Sequence, residues 1–176
     1  MSSRPGAAGA SVDSLRALLE QRRRTDAAAV ALLAPGASPL RYGQLAAQVD
    51  SIAAQLTALG VGAADRVAVA LPNGPEMAVA FLGLAAGATC APLNPGYRAE
   101  EFDFFLTDLS ARALLLPAGK DSPARAVAER HKILVLDVVG DADGPAGAFE
   151  LRRDGVPLAV ADRGCGRWAK ADQVAL

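Results

Sequence analysis

The chain has 176 residues, of which 52% are hydrophobic and 21% charged, and its 18 basic and 19 acidic residues leave a formal net charge of −1. This composition is typical of one globular domain with an apolar core, and it excludes a disordered or collagen-like chain. The balanced charge argues against a nucleic-acid binder. We expect a cytoplasmic protein, because two cysteines cannot form a disulfide framework and no apolar run reaches the roughly 18 residues that span a membrane.

The N-terminal segment predicts a tail followed by a helix. Residues 1–10 contain no apolar stretch, so we expect a disordered tail and no secretory signal. Residues 12–24 predict a helix, because apolar residues recur there at helical spacing. Arg22, Arg23 and Arg24 lie in its last turn, where cations meet the negative end of the helix dipole.

Two short strands and a long helix follow. Residues 28–33 and 40–42 predict the strands, with a Pro- and Gly-containing turn between them. Residues 43–59 predict the clearest helix of the chain, because apolar residues recur at steps of three and four with glutamines off that stripe. Gly60 comes next and fits the left-handed position at which helices end.

The following segment predicts the centre of a sheet. Residues 67–71 are continuously apolar and lie between turn residues, which is typical of a parallel strand covered on both faces. Residues 76–86 predict a helix that is apolar nearly all round and is therefore buried against this strand. We expect Asn73 to cap that helix, Pro75 to lie in its first turn and Gly87 to close it.

Strands and helices continue to alternate up to residue 138. The further predicted elements are a third core strand at 89–93, strands at 113–116 and 133–138, and helices at 100–109 and 123–131. This alternation indicates right-handed βαβ units, so we predict an α/β fold with a mostly parallel sheet. The predicted organisation is a subdomain over 11–139, a loop at 140–148, and an edge strand and the start of another strand within 149–176.

Few side chains suggest chemistry. His131 is the single histidine and lies at a predicted helix end without a recognisable Ser, Cys or carboxylate partner, so we expect a solvated polar group. Cys90 lies in an apolar strand and is expected to act as a small hydrophobe. Cys165 lies between two glycines and lacks an activating neighbour. We therefore predict no catalytic, cofactor-binding or metal-binding residue in this chain.

Three glycine-containing stretches are candidates for a phosphate-binding loop. Gly119 and Lys120 lack the earlier Gly and the following Ser or Thr of a P-loop. Residues 60–62 follow a helix, whereas a dinucleotide fingerprint follows a strand. Residues 71–76 lead from a strand to a helix N-terminus, where anions can bind, but they contain no cation. A plain helix cap is the favoured interpretation of this third stretch.

Several segments across residues 40 to 116 occur in an order and spacing that resemble one enzyme family. They are LRYGQL at 40–45, DRVAVALPNGPE at 65–76, FLGLAAGA with APLNP at 81–95, and a helix from Glu101-Phe102 to Asp108-Leu109. Together they resemble the N-terminal part of the AMP-forming acyl-CoA synthetases, the adenylate-forming superfamily. Residues 91–104 are most similar to the oxalate–CoA ligase and peroxisomal CoA synthetase-like branch. Ala64 departs from the family, which often has glycine there.

The resemblance implies an acid–CoA ligase, which joins a carboxylate to ATP, releases pyrophosphate and passes the acyl group to CoA. It implies ATP, Mg²⁺ and CoA as cofactors of the full-length enzyme, a small carboxylic acid as substrate, and the remainder of the ligase chain as partner. The family's Ser/Thr/Gly-rich phosphate loop is absent, and residues 172–176 resemble the strand that leads into it. We interpret the chain as an N-terminal scaffold fragment that is inactive alone. A stand-alone, non-enzymatic α/β binding module and a flavodoxin-like nucleotide-binding domain remain alternatives.

Overall fold

The computed structural model describes residues 14–159 and Trp168. Its helices are α1 (Leu15–Asp26), α2 (Tyr42–Ala58), α3 (Pro75–Gly87), α4 (Ala99–Asp108) and α5 (Pro123–Arg130). Its strands are β1 (Val30–Leu32), β2 (Leu40–Arg41), β3 (Arg66–Val69), β4 (Thr89–Pro92), β5 (Ala113–Pro117), β6 (Leu134–Gly140), β7 (Phe149–Arg153) and β8 (Val156–Pro157). The predicted tail at 1–10, Cys165 and the strand start at 172–176 lie outside the described residues.

The main sheet is mixed and mostly parallel, which confirms the predicted fold class. Its strand order is β4-β3-β5-β6-β7-β8, and β1 and β2 form a separate antiparallel pair. Strands β4, β3, β5 and β6 are parallel to one another, whereas β7 and β8 are antiparallel additions. Strand β3 lies between two parallel neighbours, as expected from its continuous apolar sequence.

Helices cover both faces of the parallel strands. On one face, Ile52 of α2 and Leu84 of α3 pack in the same buried cluster as Val67 of β3. On the other face, Phe102 and Leu106 of α4 pack with Ala68 of β3, with Ala70 just after it, and with Leu114 and Leu116 of β5. Each residue of β3 beyond Arg66 therefore meets an apolar layer, which explains why polar residues are missing from that strand.

Strand β4 lies at the edge of the described sheet, so the expectation of a third core strand is only partly correct. Cys90 is buried, whereas Thr89 and Ala91 are half-buried and Pro92 is exposed. Pro92 cannot donate a backbone hydrogen bond, and proline in a sheet is confined largely to edges. The apolar sequence indicated a buried strand, but the order of strands decides which one has a single neighbour.

Two glutamines of α2 reach the main chain of the last hairpin. The Gln48 side-chain amide donates to the carbonyl of Phe149 at 2.6 Å, and that of Gln55 donates to the carbonyl of Leu158 at 3.1 Å. Gln55 is only 7% exposed. The helix pattern placed these glutamines off the apolar stripe, and the structure shows that they anchor β7 and the residue after β8.

Three helices end in the same backbone motif. Gly60, Ser110 and Lys132 follow α2, α4 and α5 with φ of 76°, 48° and 57°. In each case the N–H group of this left-handed residue and that of the next residue donate to carbonyl groups in the last turn of the helix. After α5, for example, the Lys132 N–H donates to the carbonyl of Glu129 and the Ile133 N–H to the carbonyl of Ala128. This arrangement satisfies otherwise unpaired carbonyls. The sequence predicted it at Gly60, where glycine marks it, but not at the other two positions.

The start of α3 differs from the prediction. Gly74, not Asn73, is the N-cap residue, and no side chain caps the helix. Pro75 occupies the first turn as expected, because it has no N–H that would need a partner there. Gly87 is the last helical residue and Ala88 is already extended.

Candidate functional site

The parallel strands leave a crevice at their carboxyl ends. After β3 the chain crosses to β4 on one side, and after β4 it returns to β5 on the other side of β3. The connections after β3 and β5 therefore leave the sheet in opposite directions. In open α/β sheets this reversal of strand order is the place where ligands bind, so it is the candidate functional site.

A cavity of about 250 Å³ lies at this reversal point. Its lining comes from the ends of three strands and the first turn of α3, namely Leu71, Pro72, Asn73, Glu76, Pro117, Ala118, Lys120, Val138 and Gly140. Leu71 and Val138 are buried, whereas Asn73 and Lys120 are exposed. The crevice therefore has an apolar inner part and a polar rim, which suits a small and partly apolar group.

The crevice carries one acidic and one basic side chain. Glu76 lies in the first turn of α3, where a carboxylate offsets the positive end of the helix dipole. Its Oε1 lies close to Gly140, at which an added Cβ atom would approach that oxygen to 3.5 Å. Lys120 follows Gly119, whose φ of 68° turns the chain after β5. The formal charges of these two side chains are opposite.

The crevice contains no nucleophile paired with a base. Across residues 14–159, no group of three His, Cys, Asp or Glu side chains is placed to hold a metal ion. Such a site can bind and position a small group. That the chain holds no catalytic, cofactor-binding or metal-binding residue stays a prediction.

The three glycine-containing stretches have different places in the fold. Residues 60–62 end α2, as the sequence indicated. Residues 71–76 and the Gly119-Lys120 stretch both contribute to the crevice although they are far apart in sequence, the former through Leu71, Pro72, Asn73 and Glu76 and the latter through Lys120. At residues 71–76 the carboxylate of Glu76 occupies the first helical turn, which disfavours an anion site there, although no side chain caps the helix.

His131 has a carboxylate partner, contrary to the sequence prediction. It caps the end of α5, and its Nε2 lies 2.5 Å from Oδ1 of Asp103 on α4. Arg130 Nη2 lies 2.6 Å from the same oxygen. These hydrogen bonds, from His131 first and Arg130 second, lower the pKa of Asp103. The cluster joins two helices at the surface and lies away from the crevice residues.

Cys90 is an inert core residue, as expected. Its side chain is fully buried in the cluster beneath α3. Burial raises the pKa of its thiol to about 12, because the thiolate would lose its hydration. Thiolate chemistry is therefore excluded at this position under neutral conditions.

The sequence did not predict that Glu76 and Lys120 line the same cavity. The two residues are separated by two βαβ crossovers and meet only because β3 and β5 are neighbours. A usable signal existed, since both follow the carboxyl end of a predicted parallel strand, and such ends lie at one edge of a sheet. The sequence did not show that β4 pairs with β3 on the side away from β5.

In residues 14–159, no helix has the length and apolar character needed to cross a membrane.

Comparison with known proteins gives a match to one family model and to several ligase sequences. The profile of the family described as AMP-binding enzyme matches residues 19–175. A probable CoA ligase, CCL9 from Humulus lupulus, is 40% identical over 104 residues, which are 58% of this chain and 20% of that protein. The oxalate–CoA ligase of Arabidopsis thaliana is 35% identical over 123 residues, 69% of this chain and 24% of that protein. The chain thus spans a quarter or less of these relatives.

Solved structures give the same result for the fold. A fatty acyl CoA synthetase from Mycobacterium tuberculosis matches 68% of this chain and 24% of its own, with a TM-score of 0.58 and 30% identity. ATP-bound MatB from Rhodopseudomonas palustris matches 77% of this chain and 26% of its own, with a TM-score of 0.64 and 26% identity.

Proposed function

The chain belongs to the AMP-binding enzyme family, and we propose that it forms the N-terminal part of the large domain of an ATP-dependent acid–CoA ligase. In that reaction a carboxylate oxygen attacks the α-phosphorus of ATP and pyrophosphate leaves. The CoA thiol then attacks the acyl carbon, AMP leaves, and the thiol proton passes to solvent. The family match over residues 19–175 carries the proposal, and the names of the two ligase relatives support it.

The role proposed for this segment is that of a scaffold. Buried β3 and β5 hold the crevice at the carboxyl edge of the sheet, between α3 and the turn at Lys120. Binding of ATP, Mg²⁺ and CoA is proposed for the full-length ligase alone. The crevice has one lysine and one glutamate, which do not make a triphosphate cradle or a Mg²⁺ site. No step of the reaction is assigned to residues of this chain.

The remainder of the ligase chain is the partner that the scaffold requires. Several large apolar side chains are exposed, including Leu33 at 69%, Phe104 at 63% and Val156 at 65%. Contact with further parts of a ligase would cover such surface. In its absence we expect self-association, which size-exclusion chromatography with light scattering measures. A clean monomer with a cooperative, high-temperature melt would count against this part of the proposal.

The proposal is tested by ATP–pyrophosphate exchange. We expect background exchange from the 176-residue chain with oxalate, acetate and longer fatty acids, because in-line attack needs phosphates held by groups this chain does not provide. The same chain extended by its downstream reading frame is expected to be active, with the acid selected by the added residues. Exchange by the short chain that disappears in Lys120→Ala would overturn the scaffold role.

The reading frame itself separates this function from its main alternative. A frame that continues beyond codon 176 into a Ser/Thr/Gly-rich loop ending in Pro-Lys supports the ligase. A stop codon there favours a non-enzymatic α/β binding module. A cytoplasmic location is also proposed, and fluorescence microscopy of the tagged full-length protein tests it.

A further inference from the structure

A second cavity lies at the amino-terminal ends of the parallel strands, whereas the crevice lies at their carboxyl ends. Its volume is about 370 Å³, and it lies beside the amino-terminal ends of β5 and β6. Arg112 comes before β5, Lys132 follows α5, and Arg153 is the last residue of β7. Half-buried Leu59, Ile133 and Leu134 provide the apolar part of the lining. We call this cavity the basic groove.

The groove is positively charged in a chain that is slightly negative overall. Four basic side chains line it, which are Arg112, Arg125, Lys132 and Arg153, against the two acidic side chains of Glu129 and Asp154. The formal net charge of the chain is −1. The four cations come from different parts of the fold, so the tertiary structure, and not a run of basic sequence, concentrates them here.

Two of these cations are available for a ligand. Arg125 is held in an ion pair by Asp137 of β6, and Arg153 lies 3.5 Å from Asp154. Within residues 14–159, Arg112 and Lys132 form no ion pair. A guanidinium and an ammonium beside one cavity can together neutralise an anion with several acceptor oxygens.

The backbone at Lys132 adds an independent observation. Its φ of 57° lies in the left-handed region, at the helix-ending position where glycine is strongly preferred. Lysine is disfavoured there for steric reasons, and it lines the groove. Residues kept in disfavoured conformations are common at binding sites. Ser110 ends α4 with the same backbone conformation, so the observation that bears on binding is that the Lys132 side chain lines the cavity.

We propose that the basic groove binds a small phosphate-bearing ligand, with Arg112 and Lys132 as its cationic contacts. Phosphate oxygens match both groups, and Arg can bind two of them at once. The cavity has the size of small-molecule sites, and its leucine and isoleucine side chains can contact an organic part of the ligand. This inference does not depend on the ligase reaction, because the groove and the crevice lie at opposite edges of the sheet.

The test is titration calorimetry of the whole chain with pyrophosphate and with ATP at low salt. We expect saturable binding with one site per chain, which weakens as salt is raised. Tighter binding of ATP than of pyrophosphate would mean that the ligand is a nucleotide, and equal or tighter binding of pyrophosphate that it is an inorganic phosphate. Absence of saturable binding for both probes would overturn the proposal.

The variant that decides the site is Lys132→Gly. Glycine suits the left-handed backbone, so the variant loses the charge without a cost in folding. We expect binding to weaken about tenfold, as for loss of one charge-assisted hydrogen bond. Arg112→Gln should weaken it by a similar factor.

The matched control is Lys120→Gln, which removes one positive charge at the opposite edge of the sheet. It is expected to leave binding unchanged. If Lys120→Gln weakens binding as much as Lys132→Gly does, the ligand is not in the basic groove and the proposal is wrong. The same conclusion follows if Lys132→Gly binds as tightly as the unchanged chain, and circular dichroism confirms that each variant is folded.

Discussion

Gly83 of α3 lies directly against Ile52 of α2. A Cβ atom added at Gly83 would lie 2.5 Å from Ile52 Cδ1 and 3.0 Å from its Cβ and Cγ2 atoms. Such distances are well below van der Waals contact, so the absence of a side chain at residue 83 sets how closely the two helices approach. Both helices bury their apolar faces on β3, and this contact fixes one side of the core.

Replacement of Gly83 by alanine should therefore destabilise the protein. The backbone there is helical, so strain in φ plays no part, and alanine is intrinsically better than glycine in a helix by about 1 kcal/mol. Overpacking in a tight core costs about 1–3 kcal/mol, and three Ile52 atoms must move, so overpacking should win. Urea unfolding of Gly83→Ala should show a lower midpoint.

Two further variants check the cause. Ile52→Val removes the atom nearest to residue 83, so it should destabilise Gly83→Ala less than it destabilises the unchanged chain. Gly62→Ala is the control, because no atom lies within 4 Å of a Cβ built there. An increased stability of Gly83→Ala would mean that α2 and α3 are free to separate.

Ser110→Gly should stabilise the protein. Ser110 follows α4 with a φ of 48°, and a left-handed backbone costs an ordinary residue about 1–2 kcal/mol. Glycine also raises the conformational entropy of the unfolded chain, which reduces this stabilisation by about 0.4–1 kcal/mol. The expected net gain in the free energy of unfolding is about 0.5–1 kcal/mol, measurable by urea unfolding.

Gly60→Ala provides the reverse test at the end of α2. Its φ is 76°, and no atom lies within 4 Å of an added Cβ, so backbone strain is the only cost in the folded chain. Strain of about 1–2 kcal/mol, less the roughly 0.4–1 kcal/mol gained because alanine restricts the unfolded chain, gives an expected loss of about 0.5–1 kcal/mol. Equal stabilities of Ser110→Gly and the unchanged chain would argue that strain at residue 110 is relieved by other contacts.

The Asp103 cluster should make stability depend on pH in acid. Hydrogen bonds from His131 and Arg130 lower the pKa of this carboxyl in the folded chain, whereas an unfolded aspartate has a pKa of about 3.9. Between the two values the unfolded chain binds more protons. The contribution is therefore complete above pH of about 4–5 and is lost as pH falls through the folded value.

NMR titration of the Asp103 side chain measures this shift directly. Its midpoint should lie below that of an aspartate in an unfolded peptide, and Arg130→Gln should raise it. Asp103→Asn should lower the thermal midpoint at neutral pH by more than Asp108→Asn, since Asp108 on the same helix forms no ion pair within residues 14–159. A midpoint of Asp103 at the unfolded value would contradict the cluster.

Cys90 should not react with thiol reagents in the folded chain. With a thiol pKa of about 12, only about one molecule in ten thousand carries a thiolate at pH 8, and the sulfur is buried. The measurement uses a maleimide or disulfide reagent on the Cys165→Ser variant, so that Cys90 alone can respond. Rapid labelling without denaturant would show that β4 opens; complete labelling in denaturant is the positive control.

Sequence periodicity predicted most of the fold. The apolar stretch at residues 67–71 indicated a strand covered on both faces, and β3 is such a strand. The prediction was possible because a strand that is buried on both faces has a continuous run of apolar residues. The order of strands was not predictable, since the local sequence of β4 does not contain the information that it has one neighbour. The two-residue strand β8 was also missed, because it is too short for a period.

The candidate site was less predictable than the fold. Local sequence showed that residues 71–76 and Gly119-Lys120 are turns after strands, but not that they face one cavity. The basic groove is similar, because Arg112 and Arg153 come together only through the pairing of β5, β6 and β7. The partner of His131 was missed for the same reason, since Asp103 lies on a different helix 28 positions away. Long-range neighbours depend on topology, which periodicity does not report.

The two glutamines of α2 have a consequence for the order of folding. Gln48 and Gln55 bind partners that are 101 and 103 positions away in sequence, whereas the βαβ units close over far shorter loops. Loop closure costs more entropy as the loop lengthens, so the contacts of α2 with the hairpin of β7 and β8 should form after the βαβ units and after the local pairing of β7 with β6. Until it docks, both amides remain hydrated. The hairpin of β7 and β8 should therefore detach from α2 early in unfolding. Amide hydrogen exchange should then be fast in β8 while β3 stays protected.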